Sequence, residues 1–285
     1  MPELPEVEVA ARNLRRWLVE RTVEKVEVEA PRMLRPAKPE ALSVLVGAQA
    51  IAVERRGKNL LLSFAGKQGP IGVHAHLGMT GKWLRREAAQ AAPRFSRLRL
   101  FLDDGSVLHD CDLRLFGRFR LVPGARFDEV PELAALGPDP LADGIDAASL
   151  MQRLSKMKKP VKAAIMEQSL LPGVGNIQAS EALFRARIDP RRSCTSLIAA
   201  ECKRIASGVL SSVKDTIRDF ERAGDDAGNG ADVAYVEEGA ENTFAVYDRA
   251  GEPCPRCKKA KRAGANIERV MIAGRSTFFC ARCQS

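Results

Sequence analysis

Residues 2–8 read Pro-Glu-Leu-Pro-Glu-Val-Glu, directly after Met1. A small residue at position 2 lets Met1 be removed, which leaves Pro2 as the mature terminus with a free secondary amine. An α-amino group has a reference pKa of roughly 7.7–8.0, so a useful fraction is unprotonated near neutrality. Such an amine can attack a sugar C1′ and form an iminium, as lysine Schiff-base enzymes do with carbonyls. Glu3 and Glu6 lie close enough in sequence to serve the same pocket, one as a proton donor and the other as an electrostatic partner. By themselves these residues also suit a helix start, where Pro fixes φ and Glu favours the dipole. At the other end, Cys254/Cys257 and Cys280/Cys283 form two Cys-x-x-Cys pairs. That spacing presents four thiolates to one tetrahedral, structural Zn2+.

These groups need elements to hold them. Val7, Ala10, Leu14 and Leu18 are spaced for one helix face over residues 5–20. From about 22 to 122 the period changes to two. Val26 and Val28 alternate with glutamates, and Leu98, Leu100 and Leu102 alternate with Arg97, Arg99 and Phe101. Residues 60–64 and 71–77 also read as strands. This half is expected to be a β-sandwich with the first helix packed on it. From 148 to 222 the pattern is helical, and Val209, Val213, Ile217 and Phe220 mark one face of a long last helix. Between helices, Leu171-Pro-Gly-Val-Gly-Asn176 predicts a tight turn with Asn176 as N-cap of the next helix.

The expected class is α+β and multi-domain. The layout is an N-terminal β-sandwich domain with packed helices (1–125), a linker (126–147), a helical domain (148–222), an acidic flexible loop (223–242) and a zinc-binding β-hairpin (243–285).

The chain has 285 residues, enough for two cores, and 45% hydrophobic content. No apolar run approaches the roughly 20 residues of a membrane span, and no signal peptide precedes the helix. Seven cysteines in a chain this long do not make a disulfide scaffold. A cytoplasmic or nucleoid location is expected. Net charge is +9 and the sequence pI is about 9.4, which favours a polyanionic partner. The charge is uneven. Residues 249–285 carry nine Lys/Arg against two acids, whereas residues 223–242 carry six acids and no Lys/Arg.

Five separated motifs run through the chain in order. They are Pro2-Glu-Leu-Pro-Glu6, Arg56-Gly-Lys58, His76-Leu-Gly-Met79-Thr-Gly81, Pro172-Gly-Val-Gly-Asn176, and the ribbon ending Gly274-Arg275-Ser-Thr-Phe-Phe-Cys280. Together they resemble the formamidopyrimidine-DNA glycosylase family of base-excision repair enzymes. The resemblance implies a bifunctional DNA glycosylase/AP lyase that excises oxidised purines from double-stranded DNA. It further implies a monomer with a helix–two-turns–helix domain and a structural zinc ribbon.

Pro2 would be the nucleophile, Glu3 the proton-transfer group, and Glu6 the partner of the charged intermediate. Lys58 would reach the active site and contact a phosphate beside the damaged nucleotide, and Arg275, counted with Lys58 in the catalytic set, would grip flanking phosphates with Asn176. Met79, Arg114 and Phe116 would fill the void left by an everted base, and Lys162 completes the DNA-binding set. Two positions depart from the family pattern: Leu115 replaces a second basic residue and Gln178 an aromatic tyrosine. The 22 residues between Cys257 and Cys280 also exceed the family's usual length, the excess lying in basic Lys258–Ala265. Segment 225–242, which in the family covers an everted purine, is strongly acidic here. The alternatives are an endonuclease VIII-like enzyme for oxidised pyrimidines and a catalytically silent DNA-binding module. Leu4 and the intact His76–Met79 block speak against the first; Pro2, Glu3 and Lys58 speak against the second.

Overall fold

The computed structural model describes residues 1–226, 242–262 and 264–285. The chain forms two compact units. The first comprises Met1–Ala134 with the end of the last long helix from Ile217 onward; the second comprises Ala135–Thr216 with the C-terminal segment.

The first unit opens with helix α1 (Leu4–Leu18), which buries Leu4, Val7, Ala10, Leu14, Trp17 and Leu18 as the helical spacing predicts. Eight strands follow: β1 (Val23–Val28), β2 (Gln49–Arg56), β3 (Asn59–Gly66), β4 (Gly69–His76), β5 (Lys82–Glu87), β6 (Ser96–Leu102), β7 (Ser106–Cys111) and β8 (Arg118–Pro123). They make two four-stranded antiparallel sheets, ordered β1-β6-β7-β5 and β2-β3-β4-β8. Alternation decides which face is inside: in β6, Ser96, Leu98, Leu100 and Leu102 are buried and the residues between them are not. Both sheets and α1 contribute to one core, with Leu14, Leu62, Phe64, Leu100 and Leu108 in it and Trp83 packing on Phe119 across the sandwich. The expected β-sandwich is therefore present. The stretch read as linker holds a short helix, α2 (Pro131–Ala134), because Val130 and Leu133 are apolar enough to be buried.

The second unit contains α3 (Ala147–Leu154), α4 (Val161–Ile165), α5 (Asn176–Ala186) and the first part of α6 (Ala199–Asp226). Val209 and Val213 face its interior. Gly208 lets α6 approach α5 closely, since a Cβ there would lie 2.6 Å from the Ala182 carbonyl oxygen. Helix α7 (Pro255–Lys259) and hairpin strands β9 (Glu268–Ile272) and β10 (Arg275–Phe279) complete this unit. Its C-terminal core joins Phe184 of α5 to Val246, Ile267, Phe278 and three of the paired cysteines. Cys111, Cys194 and Cys202 are buried. Most of the acidic segment 223–242 lies outside the described residues.

Candidate active site and nucleic-acid interface

Pro2 and Glu3 are buried at the head of α1, while Met1 beyond them is 49% exposed. Glu3 and Glu6 form a reciprocal capping box, in which the Glu3 backbone N–H donates to Glu6 Oε2 at 2.9 Å. Burial, reinforced by the negative charge of Glu3, pushes the Glu6 carboxyl up to about 7. Near neutrality Glu6 therefore exchanges readily between acid and carboxylate, and a cation formed at Pro2 would favour the carboxylate.

This has a consequence for stability. The folded pKa lies above the unfolded value, so ionising Glu6 costs stability as pH rises from about 4.5 to about 7. A Glu6→Gln protein keeps an acceptor for the Glu3 N–H and cannot ionise. It should gain stability over wild type, by roughly 3 kcal/mol at most, above pH 7. The gain should vanish near pH 4. Denaturant melts across this range check it, and a pH-independent difference would refute the burial argument.

Lys58 is half-buried in the two-residue turn between β2 and β3, where Arg56 pairs with Asn59. The turn is tied to α1 by Arg55, which the motif reading passed over. Arg55 Nε donates to Glu8 Oε2 at 2.8 Å, and its Nη1 donates to the Gly57 carbonyl at 3.0 Å. Glu8 also accepts from Arg12, and these cations hold its carboxyl below the usual range despite burial. Two hydrogen bonds thus connect the residue before Lys58 to the helix that carries Pro2, Glu3 and Glu6.

The loop after β4 carries Met79, and the loop between β7 and β8 carries Arg114 and Phe116. Met79 is 38% and Phe116 46% exposed. The Arg114 guanidinium lies over the Phe116 ring, 5.1 Å from its centroid. The two loops hold each other. A Cβ on Gly78, whose φ is +63°, would lie 2.4 Å from the Phe116 carbonyl carbon, so only glycine permits this approach. Asp112 accepts from Arg114 N at 3.0 Å and Gly117 N at 2.8 Å, and also from the Thr80 hydroxyl. His76 Nδ1 accepts the Gly78 N–H at 2.9 Å, so the imidazole proton sits on Nε2. Burial, with Lys58 nearby, lowers its pKa to about 4 and keeps the ring neutral. Asp112 was not singled out from sequence, its one signal being its place two residues before Arg114, and His76 entered only as the first residue of a motif.

In the second unit, Gln168 pins the glycine-rich turn by accepting from Gly173 N at 2.8 Å and donating to the Val174 carbonyl at 3.0 Å. Asn176 is not the N-cap that the sequence suggested: Gly175 is, and Asn176 is the first residue of α5. Its side chain is engaged elsewhere. Asn176 Oδ1 accepts from Lys162 Nζ at 2.6 Å, and its Nδ2 donates to the Ser276 carbonyl at 2.9 Å. Lys162 is 1% exposed and also donates to Thr277 Oγ1 at 2.7 Å. Its ammonium is a joint between α4, α5 and β10 rather than a surface cation. Arg275, by contrast, is exposed beside the turn Ala273-Gly274, both residues with positive φ, and its side chain has no partner among the described residues. Gln178 is fully buried, bonded to Ser212 at 2.7 Å and Thr216 at 3.1 Å on α6.

The sulfurs of Cys254, Cys257, Cys280 and Cys283 all lie within 4.8 Å of one another. Cys254–Cys283 is 3.8 Å and Cys257–Cys280 is 3.9 Å. Zn–S bonds of about 2.3 Å would place tetrahedral sulfurs about 3.8 Å apart, so the site fits a structural zinc. Arg256 fastens this knuckle to α5, donating to the Phe184 carbonyl at 2.8 Å with its guanidinium 4.2 Å from the Phe184 ring centroid.

The formamidopyrimidine-DNA glycosylase N-terminal domain profile matches residues 1–119, and the family's H2TH domain profile matches 136–223. The chain belongs to the formamidopyrimidine-DNA glycosylase family. The family's enzyme from Laribacter hongkongensis is 37% identical over 291 residues, covering 100% of both chains. That from Symbiobacterium thermophilum is 39% identical over 292 residues, covering 100% of this chain and 89% of its own. Among solved structures, Lactococcus lactis Fpg complexed with DNA containing an abasic site aligns with a TM-score of 0.84, 27% identity and 99% of each chain. MutM with DNA containing carbocyclic 8-oxo-G aligns with a TM-score of 0.82, 27% identity and 100% of each chain. Every glycosylase motif found in the sequence thus falls on a defined structural position. No helix among the described residues is long and apolar enough to cross a membrane.

Proposed function

We propose that this protein is a bifunctional DNA glycosylase/AP lyase of base-excision repair, acting as a monomer on oxidised purines in duplex DNA in the cytoplasm and nucleoid. The observation that carries this reading is the head of α1, where Pro2 is held beside the buried, capping-boxed Glu3 and Glu6. The named relatives and the DNA complexes of its structural neighbours support the substrate class.

The lesion must leave the stack before its sugar can be reached. The Pro2 nitrogen attacks C1′ as the glycosidic bond breaks, and the base departs with the bonding pair and takes up a proton. Glu3 moves the proton that opens the sugar ring. The resulting iminium acidifies C2′–H, and loss of that proton expels the 3′ phosphate. A second elimination expels the 5′ phosphate, and hydrolysis of the iminium returns the free amine. Glu6 as carboxylate offsets the iminium charge, and Lys58 neutralises a phosphate near the reacting sugar.

Met79 and Phe116 supply an apolar wedge for the vacated stack, and Arg114 addresses the orphaned base. Arginine donors suit the O2 and N3 acceptors of cytosine better than adenine's exocyclic amine. Arg114→Ala should therefore erase a preference for C over A opposite the lesion, roughly 5- to 150-fold, in single-turnover excision of 8-oxoguanine. Faster excision of an oxidised pyrimidine than of 8-oxoguanine and formamidopyrimidine by wild type would reject the substrate assignment.

Arg275 and Asn176 are proposed as the phosphate grip, with Lys162 positioning both the Asn176 amide and β10. Arg275→Ala should flatten the log–log salt dependence of DNA binding by about 0.9. An unchanged slope would remove Arg275 from the phosphate contacts.

A further inference from the structure

The zinc ribbon carries a second concentration of unneutralised charge, at the end opposite Arg275. Lys258, Lys261 and Arg262 line a cavity of about 410 Å3 together with Pro253 and Asn266. Among the described residues no acidic side chain lines it. The neighbouring Glu252 is engaged by Arg249 at 2.7 Å. Elsewhere in the ribbon, Arg256 and Arg269 also have protein partners. The side chains of Lys258, Lys261 and Arg262 have none among the described residues, a condition they share with Arg275.

The cavity is held by backbone bonds to two of the zinc-site cysteines. Lys258 N donates to the Cys254 carbonyl at 2.9 Å, and Arg262 N donates to the Cys257 carbonyl at 2.8 Å. Cys254 N in turn donates to the Ala265 carbonyl at 2.8 Å, and Pro253 bridges to Asn266. The cations therefore project from a frame whose shape is set by the metal site.

We propose that this cavity is a second phosphate-binding site, which takes a backbone phosphate of the bound duplex beyond the lesion. The inference rests on the DNA-binding reading above. Three exposed cations around one open concavity, with no acid among its described lining residues, suit a phosphodiester. The length of β9 sets the reach. Asn266 and the hairpin tip are separated by about six extended residues, roughly 20 Å. For a hairpin lying along the duplex, at about 3.4 Å per base pair, that corresponds to five or six base pairs from the Arg275 contact.

The test uses full-length, zinc-loaded protein in which Lys258, Lys261 and Arg262 are all changed to Ser. Lys259→Ser serves as a control for a cation outside the cavity. Salt dependence of binding is measured on two abasic-analogue duplexes, with arms of about four and about fifteen base pairs on each side. On the long duplex the triple variant should show a slope shallower by about 0.9 for each phosphate released. On the short duplex the slope should match wild type, as should zinc content and, with a true abasic site in place of the analogue, borohydride-trapping yield.

Equal slopes for wild type and triple variant on the long duplex would overturn the proposal. So would an equal loss on the short duplex, or a full effect from Lys259→Ser alone. Dissociation accelerated by competitor DNA and lost in the variant, with the long-duplex slope unchanged, would assign the cations to a second duplex and also overturn it. Failure of wild type to form a trapped adduct would instead reject the lyase chemistry, while the salt slopes would still report on the cavity.

Discussion

Protein that retains Met1 should form no borohydride-trapped adduct with DNA carrying 8-oxoguanine or an abasic site, whereas processed protein should trap efficiently. With Met1 attached, the Pro2 nitrogen is an amide whose lone pair is delocalised into the carbonyl, so it is not a nucleophile. The expected effect is complete loss of adduct rather than a graded decrease. Protein prepared with an uncleavable N-terminal extension tests this, with mass spectrometry to establish the terminus. DNA binding at low salt should persist, because Arg275, Asn176 and the zinc site are distant in sequence from the extension. Robust trapping by blocked protein would remove Pro2 from the mechanism and shift attention to a lysine, first of all Lys58.

Removing zinc should have an effect of comparable size on binding. Structural zinc contributes roughly 10–16 kcal/mol to the folding of small modules, as much as or more than the net stability of a typical domain. In this ribbon the cysteines belong to the same small core as Phe184, Val246, Ile267 and Phe278, so four unligated thiols would leave that core without its centre. Loss of β10 would withdraw Thr277 and the Ser276 carbonyl from Lys162 and strand its ammonium. Chelation, verified by metal release, or Cys280→Ser should weaken binding to an abasic duplex by about 100-fold or more. The sandwich unit should keep its own melting transition. Unchanged affinity after verified metal loss would separate the hairpin from the DNA grip.

Much of this chemistry was legible because it is local in sequence. Pro2, Glu3 and Glu6 lie within five residues, the cysteine spacing is its own ligand map, and the strict alternation of β6 announces a half-buried strand. The strand partners were not legible: β1 pairs with β6 and β4 with β8, and period-two patterning says nothing of who sits beside whom. The supporting contacts escaped for the same reason. Glu8 meets Arg55 across 47 positions and Lys162 meets Thr277 across 115, and each pair consists of residue types that are ordinary on a surface. The family resemblance puts Lys162 in the DNA-binding set, and a lysine is rarely buried. Three oxygen acceptors explain why this one is. Asn176 misled in the opposite way: its residue type suits a cap, yet the long-range bonds to Lys162 and Ser276 determine its orientation.

The carboxylate of Asp112, by holding the Arg114–Phe116 turn while Gly78 abuts that turn's backbone, has a consequence for how this protein can change over generations. The geometry of the two loops is specified by backbone donors, the Asp112 carboxylate, the Thr80 hydroxyl, the His76 ring and one glycine, and not by the side chains at their tips. Replacing Met79, Arg114 or Phe116 therefore leaves the frame that presents them intact. Such replacements should be nearly neutral for folding while altering which damaged bases are accepted. Asp112 and Gly78 have no such latitude. Selection can then act on lesion preference through three exposed positions, largely independently of whether the chain folds.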